Sequence, residues 1–154
     1  MTYSEKLADY VKRFFDEDNW RYQFDEEDGI FSGGITIGGM LKSVKFFINV
    51  KSVNVVNCTI LNISTIEKNR PAVAEFIARA NYGMSLGCFE MDFRDGEVRF
   101  RLSASQADFE DDYTETMKLL MLFPCQVLQK YGEGLLGVMF GLKNPAKAIE
   151  EIEG

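Results

Sequence analysis

Residues 86–103, LGCFEMDFRDGEVRFRLS, alternate apolar and polar side chains on either side of an Asp95-Gly96 pair. Asp-Gly is a favoured pair for the two central positions of a type I′ turn, which joins antiparallel strands through a two-residue loop. That turn predicts that Met91 lies opposite Phe100 on an apolar face. The other face then carries two acid–base pairs, Asp92–Arg99 and Glu90–Arg101. The stretch therefore predicts an antiparallel sheet with one buried face.

The chain before this hairpin predicts a helix followed by strands. Leu7, Tyr10, Val11, Phe14 and Phe15 recur at helical spacing, and Thr2 with Glu5 predicts a capping box at the start of that helix. Four β-rich segments follow, at about residues 20–24, 30–37, 44–50 and 53–63. The pattern leaves open whether Val53–Ile63 is a fourth strand or part of a long third one.

Helices are predicted on both sides of the hairpin. Asn69 and Pro71 are typical of a helix start, and the carboxylates of residues 108–112 favour the start of a third helix. Pro124 is expected to kink or break that helix within a turn of Phe123. Pro145 begins a short last helix. No linker or repeat divides residues 1–154, so we expect a single α+β domain.

Composition excludes several classes of partner. The chain has 154 residues, 46% of them hydrophobic, and a net charge of -7. This charge opposes binding to nucleic acid and to anionic lipid surfaces. The longest apolar runs are far shorter than the roughly 20 residues of a membrane span. No apolar leader follows Met1, so we expect a cytoplasmic protein without a nucleic-acid or membrane partner.

The residues offer no catalytic, metal or cofactor site. Histidine is absent, and the three cysteines, Cys58, Cys88 and Cys125, have no metal-binding spacing. Gly34 and Gly39 match the spacing of a phosphate loop, but Met40 stands where the lysine belongs. These glycines indicate strand bulges instead. The carboxylate runs at 25–29 and 108–112 lack the ligand spacing of a calcium loop.

The C-terminal third is the candidate interaction surface. It combines methionines, other apolar residues and glycines spaced four apart, and methionine packs adaptably against varied partners. The alternative is that the region only completes the core. The candidate residues are Met117, Met121, Phe123, Leu135, Gly137, Met139, Phe140 and Gly141. This apolar surplus predicts a homodimer.

Several phrases resemble the YbjN-like family. They are NRPxxAEFIARAN at 69–81, GxFExD at 87–92 and DGEVRF at 95–100, with YxFDEEDG at 22–29 and GxxxPxxA at 141–148. The resemblance implies a twisted antiparallel sheet flanked by helices in the order α-β-β-β-α-β-β-α, as in type III secretion chaperones. Those chaperones are small, acidic, commonly dimeric proteins that hold segments of a client.

These observations favour a non-enzymatic protein-binding module, chaperone-like or regulatory, that pairs with itself and with an unidentified protein client. The alternative is a regulatory, sensory domain that holds a small molecule between the sheet and a helix. An enzyme ranks third, because no activated nucleophile and no histidine for general acid–base catalysis is present.

Overall fold

The structure, a computed structural model, describes residues 2–154. Its helices are α1 (Glu5–Glu17), α2 (Arg70–Asn81), α3 (Gln106–Met139) and α4 (Pro145–Glu153). Its strands are β1 (Gln23–Asp25), β2 (Ile30–Gly38), β3 (Lys42–Val50), β4 (Asn54–Ser64), β5 (Cys88–Met91) and β6 (Glu97–Ser105). The predicted α+β class and the approximate order of elements are confirmed. The β-rich run predicted at Val53–Ile63 is a strand of its own, β4, which gives the first meander four strands.

All six strands form one antiparallel sheet in the order β1-β2-β3-β4-β6-β5. Because side chains alternate along a strand, each strand sends every second residue into the core. Phe15 of α1 packs on Phe31 and Phe46 of this core face. Tyr131 of α3 packs on Phe89 of the same face. The helices therefore cover one face of the sheet.

Helix α1 begins two residues later than the sequence predicts. Ser4 is its N-cap, and the Ser4 hydroxyl accepts a hydrogen bond of 3.1 Å from the Leu7 N–H. The predicted capping box of Thr2 and Glu5 is therefore wrong, because Glu5 is already the first helical residue. The predicted apolar stripe is confirmed for Leu7, Val11 and Phe15, which are fully buried.

The predicted register of the β5–β6 hairpin is wrong by two residues. Phe89 lies opposite Phe100 and Met91 opposite Val98, so Met91 does not face Phe100. The loop has four residues, because the Asp92 N–H bonds the Glu97 oxygen across it. Asp95 avoids positive φ, and Gly96 alone adopts it at 81°. A two-residue slip preserves parity, so the predicted division into an apolar face and a charged face is confirmed.

The tip of this hairpin is tied to the segment that precedes α2. The Thr65 N–H donates to the Gly96 oxygen at 2.9 Å, and a Cβ on Gly96 would collide with the Thr65 carbonyl. Arg70 donates to the Thr65 and Phe93 oxygens, at 3.0 Å each. The bond from Arg70 holds Phe93 outside the strand. The loop is therefore longer than the two residues that the Asp-Gly pair predicts.

The expected break at Pro124 is also wrong. Helix α3 continues through Pro124, which is buried, and its backbone departs from helical dihedrals at Asp112 instead. Proline has no N–H, so the Leu120 carbonyl one turn earlier loses its helical donor. The buried side chain of Asn57 on β4 supplies a donor to that carbonyl at 2.7 Å. The sheet thus satisfies the group that proline leaves free.

The glycines of β2 mark irregular backbone, as the sequence indicates. The β2–β3 register shifts between Thr36 and Gly38, and Gly38 and Gly39 take positive φ at the turn. Strand β3 follows this turn, whereas a phosphate loop leads into a helix. The segment is therefore a bulged β-hairpin.

Candidate interaction surface

The face of the sheet opposite the helices forms the candidate site, and we call it the uncovered face. It carries the alternate strand residues that point away from the core. Its central members are Ile30 and Ser32 on β2, Lys45 and Phe47 on β3, Val56, Cys58 and Ile60 on β4, Arg99 and Arg101 on β6, and Cys88 and Glu90 on β5. Helix packing on the other side leaves these side chains as the outer layer of the sheet.

The middle of the uncovered face is apolar. Phe47 lies between Ser32 and Cys58 on the neighbouring strands, and Ile60 lies one strand away opposite Lys45. Phe47 and Ile60 are half-buried by their neighbours alone. A shallow depression of about 670 Å³ adjoins Phe47, beside Lys45. The strip therefore offers apolar area on the outside of a sheet.

An ion-pair cluster flanks this strip. One Glu90 oxygen lies 3.0 Å from both Arg99 Nε and Arg101 Nε, and Arg101 Nη2 lies 3.5 Å from Cys88 Sγ. The predicted Glu90–Arg101 contact is present, although the two residues are not directly opposite. The predicted Asp92–Arg99 pair is wrong, because the loop turns Asp92 toward Arg94 at 2.7 Å.

The two arginines shift the acidity of Glu90. Burial raises the pKa of this carboxyl, but hydrogen bonds and attraction from Arg101 and Arg99 outweigh burial and leave the pKa below its usual value of 4.5. The Arg94 side chain similarly lowers the pKa of Asp92 to about 2. Both carboxylates are therefore ionised at neutral pH, and the cluster carries both signs of charge.

We expect Glu90 to make stability depend on pH in the acid range. A carboxyl whose pKa is lower in the folded than in the unfolded state stabilises the native state at pH values above its unfolded-state pKa. This contribution is lost as the pH falls through the folded-state pKa. Glu90→Gln should therefore reduce the unfolding free energy by less than about 1 kcal/mol at pH 7, because the pair is partly exposed. Urea titrations from pH 7 to about pH 3 measure the difference from wild type. A difference that grows toward acid pH would contradict the pairing.

Charge on the uncovered face is balanced, although the chain is acidic. Its strands contribute three cations and three carboxylates, namely Lys45, Arg99 and Arg101 with Asp25, Glu90 and Glu97. The net charge of -7 is therefore carried by the remaining surface. A second acidic molecule is repelled least at the uncovered face.

The candidate residues predicted from the C-terminal third do not form one surface. Met117, Met121, Leu135 and Met139 are at most 3% exposed and belong to the core. Phe123 and Gly137 are half-buried, while Phe140 and Gly141 are exposed beyond the end of α3. Buried side chains are not accessible to a partner, so contact through this region is limited to its exposed end.

The uncovered face was missed at the sequence level although one signal points to it. Lys45, Phe47 and Asn49 occupy the outward positions of β3, where alternation predicts polar residues. Phe47 is apolar instead, and Val56 and Ile60 are likewise apolar at outward positions of β4. An apolar residue at outward positions of two neighbouring strands indicates a surface patch.

The alternative function requires a small molecule to bind between the sheet and a helix. Side chains occupy the space between the sheet and the helices. Phe15, Phe46, Phe76 and Phe100 are fully buried there. Burial raises the pKa of the Cys58 and Cys125 thiols, which disfavours the reactive thiolate. Within residues 2–154, no group of three metal-ligating side chains comes together, and none of the helices has the length and apolar character needed to cross a membrane.

Comparison with known proteins agrees with the resemblance of the sequence phrases. No curated protein and no solved structure matches the chain. The model of the YbjN family, described as "putative bacterial sensory transduction regulator", matches residues 7–129. That range includes α1 from Leu7 onward, α2, the whole sheet and about the first two thirds of α3. The chain belongs to the YbjN family.

Proposed function

We propose that this chain is a non-enzymatic, protein-binding regulatory module of the cytoplasm, and that its uncovered face binds a second copy of the chain. The observation that carries the proposal is the uncovered face itself, an apolar strip with balanced charge on an otherwise acidic protein. Family membership supports a regulatory role. The fold that the family resemblance implies, that of type III secretion chaperones, supports the pairing, because those chaperones are small, acidic and commonly dimeric.

The size of the uncovered face supports a dimer. The six strands together contain 45 residues, and each residue covers about 16 Å² of the sheet, since strands lie about 4.8 Å apart and rise about 3.3 Å per residue. The resulting area is roughly 700 Å², close to the roughly 800 Å² that each partner contributes to a standard interface. Burying this face is therefore sufficient for a specific complex.

Two-fold symmetry suits the arrangement of charges. An isologous interface brings the same patch of both molecules together. Lys45 lies on one side of the apolar strip, and Glu90 lies on the other side with its two arginines. A balanced patch offers opposite charges to its own copy, whereas the remaining surface carries the net negative charge and repels a second copy.

Phe47→Glu should weaken the dimer at least about tenfold, because it places two charges at the centre of the apolar strip. Sedimentation equilibrium at micromolar concentrations measures the dissociation constant of the variant and of wild type. Tyr82→Glu is the matched control, since Tyr82 is 89% exposed just after α2 and borders α3 on the helical side, not the uncovered face. Thermal unfolding shows whether each variant keeps the fold.

Two results would contradict this proposal. One is a wild-type protein that stays monomeric at about 100 μM, well above the concentrations at which a standard interface associates. The other is a folded Phe47→Glu variant that dimerises as well as wild type, which would place the contact on another surface.

A further inference from the structure

A groove of about 400 Å³ separates the end of β6 from the first half of α3. We call it the β6 edge groove. Its floor is apolar, because Leu102 and Ala104 lie there and are buried. Its walls carry Leu86, which precedes β5, and Leu119 on α3. The groove lies at the sheet edge and shares only Ser103 with the uncovered face.

One wall of the groove is an unpaired strand edge. Strand β5 pairs with β6 only over Val98–Arg101, while β4 pairs with β6 as far as Ser105. The Glu97 oxygen accepts a bond from the β5 side, so alternate residues of β6, including Ser103, direct their backbone groups to that side. In the part of the chain that the structure describes, no strand lies next to Ser103 there. Its N–H and C=O are available to an added strand.

The outer edge of β5, unlike the unpaired segment of β6, is capped by a side chain. The Asn81 side chain donates to the Phe89 oxygen at 3.0 Å and accepts from the Phe89 N–H at 2.8 Å. An amide side chain thus takes the place of the next strand and blocks pairing along β5. On β6, the exposed residue Ser103 borders a groove instead of a capping side chain.

Apolar groups on both walls are accessible. Leu86 is 40% exposed and Leu119 is 43% exposed, although both border the buried floor of the groove. An extended segment placed along β6 would direct alternate side chains toward α3 and bury these leucines. Its backbone would pair with Ser103, which is the mode of recognition called β-strand addition.

The rim of the groove defines the charge of its occupant. The residues that line it include the carboxylates Asp108, Asp111, Asp112 and Glu115, and include no lysine or arginine. Lys118 lies 3.5 Å from Glu115 but outside the groove lining, and it neutralises only one of these charges. An occupant with lysine or arginine beside its apolar positions complements this rim.

We propose that the β6 edge groove binds an extended segment of a partner protein in which apolar residues alternate with lysine or arginine. The segment continues the line of β5 along the edge of β6. Its backbone bonds Ser103, its apolar side chains contact Leu86 and Leu119, and its cations face the carboxylate rim.

The test uses capped peptides of about eight residues, a usual strand length, as a pool with Val, Ile, Leu or Phe alternating with Lys. Amide NMR spectra of the full chain identify the residues that respond, and fluorescence anisotropy of the best labelled peptide gives its affinity. We expect shifts at Ser103 and Leu119. Leu119→Lys should weaken binding at least about tenfold, because it removes an apolar contact and adds a like charge.

Several controls separate strand addition from general attraction. A peptide with N-methylated backbone and a peptide with Glu in place of Lys should each lose at least about tenfold in affinity. Leu142→Lys, at an exposed leucine outside the groove, should bind like wild type. Phe47→Glu should also bind like wild type, so failure of the dimer and failure of the groove are distinguishable.

The proposal is overturned if no peptide of the pool binds at about 1 mM, the weak end of specific affinities. It is also overturned if the amide shifts fall away from β6 and α3. Equal binding of the N-methylated peptide would exclude strand addition, and equal binding of the acidic peptide would exclude the role of the rim.

Discussion

Phe100→Ala should lower the free energy of unfolding by about 3 to 5 kcal/mol, the usual cost of removing a buried phenylalanine. Phe100 is fully buried at the centre of β6. Its ring centroid lies 5.2 Å from that of Phe89 on β5 and 6.1 Å from that of Phe123 on α3. Alanine leaves a cavity where the sheet meets α3, because both neighbours are held by their own strand or helix. Urea unfolding monitored by circular dichroism measures the loss.

Arg99→Ala is the matched control on the preceding residue of β6. Its side chain lies on the uncovered face and pairs with Glu90 at 38% exposure. Removing an ion pair of this kind should cost less than about 1 kcal/mol. Comparable costs for the two variants, or a larger cost for Arg99→Ala, would contradict the assignment of the two faces.

Asn57→Ala should cost about 2 to 3 kcal/mol, because it leaves the buried Leu120 carbonyl without a donor and opens a small cavity. Asn57 is fully buried, and its amide nitrogen lies 2.7 Å from that carbonyl. Thr59→Val is a suitable comparison, since Thr59 is also buried on β4 and bonds only the same amide, at 3.3 Å. We expect it to cost less than Asn57→Ala.

A double-mutant cycle with Pro124→Ala tests why Asn57 matters. Alanine at 124 restores an N–H one turn after Leu120, so the carbonyl regains a helical donor. The cost of Asn57→Ala should then fall by about 1 kcal/mol, measured as a coupling free energy from four urea curves. Additive costs would show that the Asn57 amide does not substitute for the missing helical bond.

The local spacing of apolar residues was sufficient to predict much of this fold. The apolar spacing of Leu7, Val11 and Phe15 predicted α1, and the division of the β5–β6 hairpin into two faces survived an error in its register. Parity explains this result, since a slip of two residues leaves every side chain on its original face. The sequence correctly predicted that one face is charged, although Asp92 lies in the loop and not in the strand.

Contacts between distant segments explain what the sequence did not predict. The Asp-Gly pair favoured a two-residue turn, but Arg70 and Thr65 bind the hairpin tip and draw out a longer loop. Pro124 was expected to break α3, but the Leu120 carbonyl that loses its helical donor accepts a hydrogen bond from Asn57, more than sixty residues earlier. Neither partner is visible in the local pattern around the turn or the proline.

The candidate site was harder to predict than the fold, because composition does not distinguish core from interface. Helix α3 packs against the sheet, α2 and α4 together, so its methionines and leucines are buried on several sides. Met121 and Met139 therefore complete the core. The uncovered face depends on which side of the sheet receives the helices, and this is a property of the tertiary structure.

Thiol labelling of Cys88 tests the central claim most directly, because Cys88 is a half-buried cysteine on the uncovered face, whereas Cys58 and Cys125 are buried. The maleimide reaction of Cys88 should slow as the protein concentration rises through the range in which sedimentation detects association. The reaction in the Phe47→Glu variant should not depend on concentration. A Cys88 rate that stays constant while wild-type protein sediments as a dimer would show that the uncovered face is not the contact.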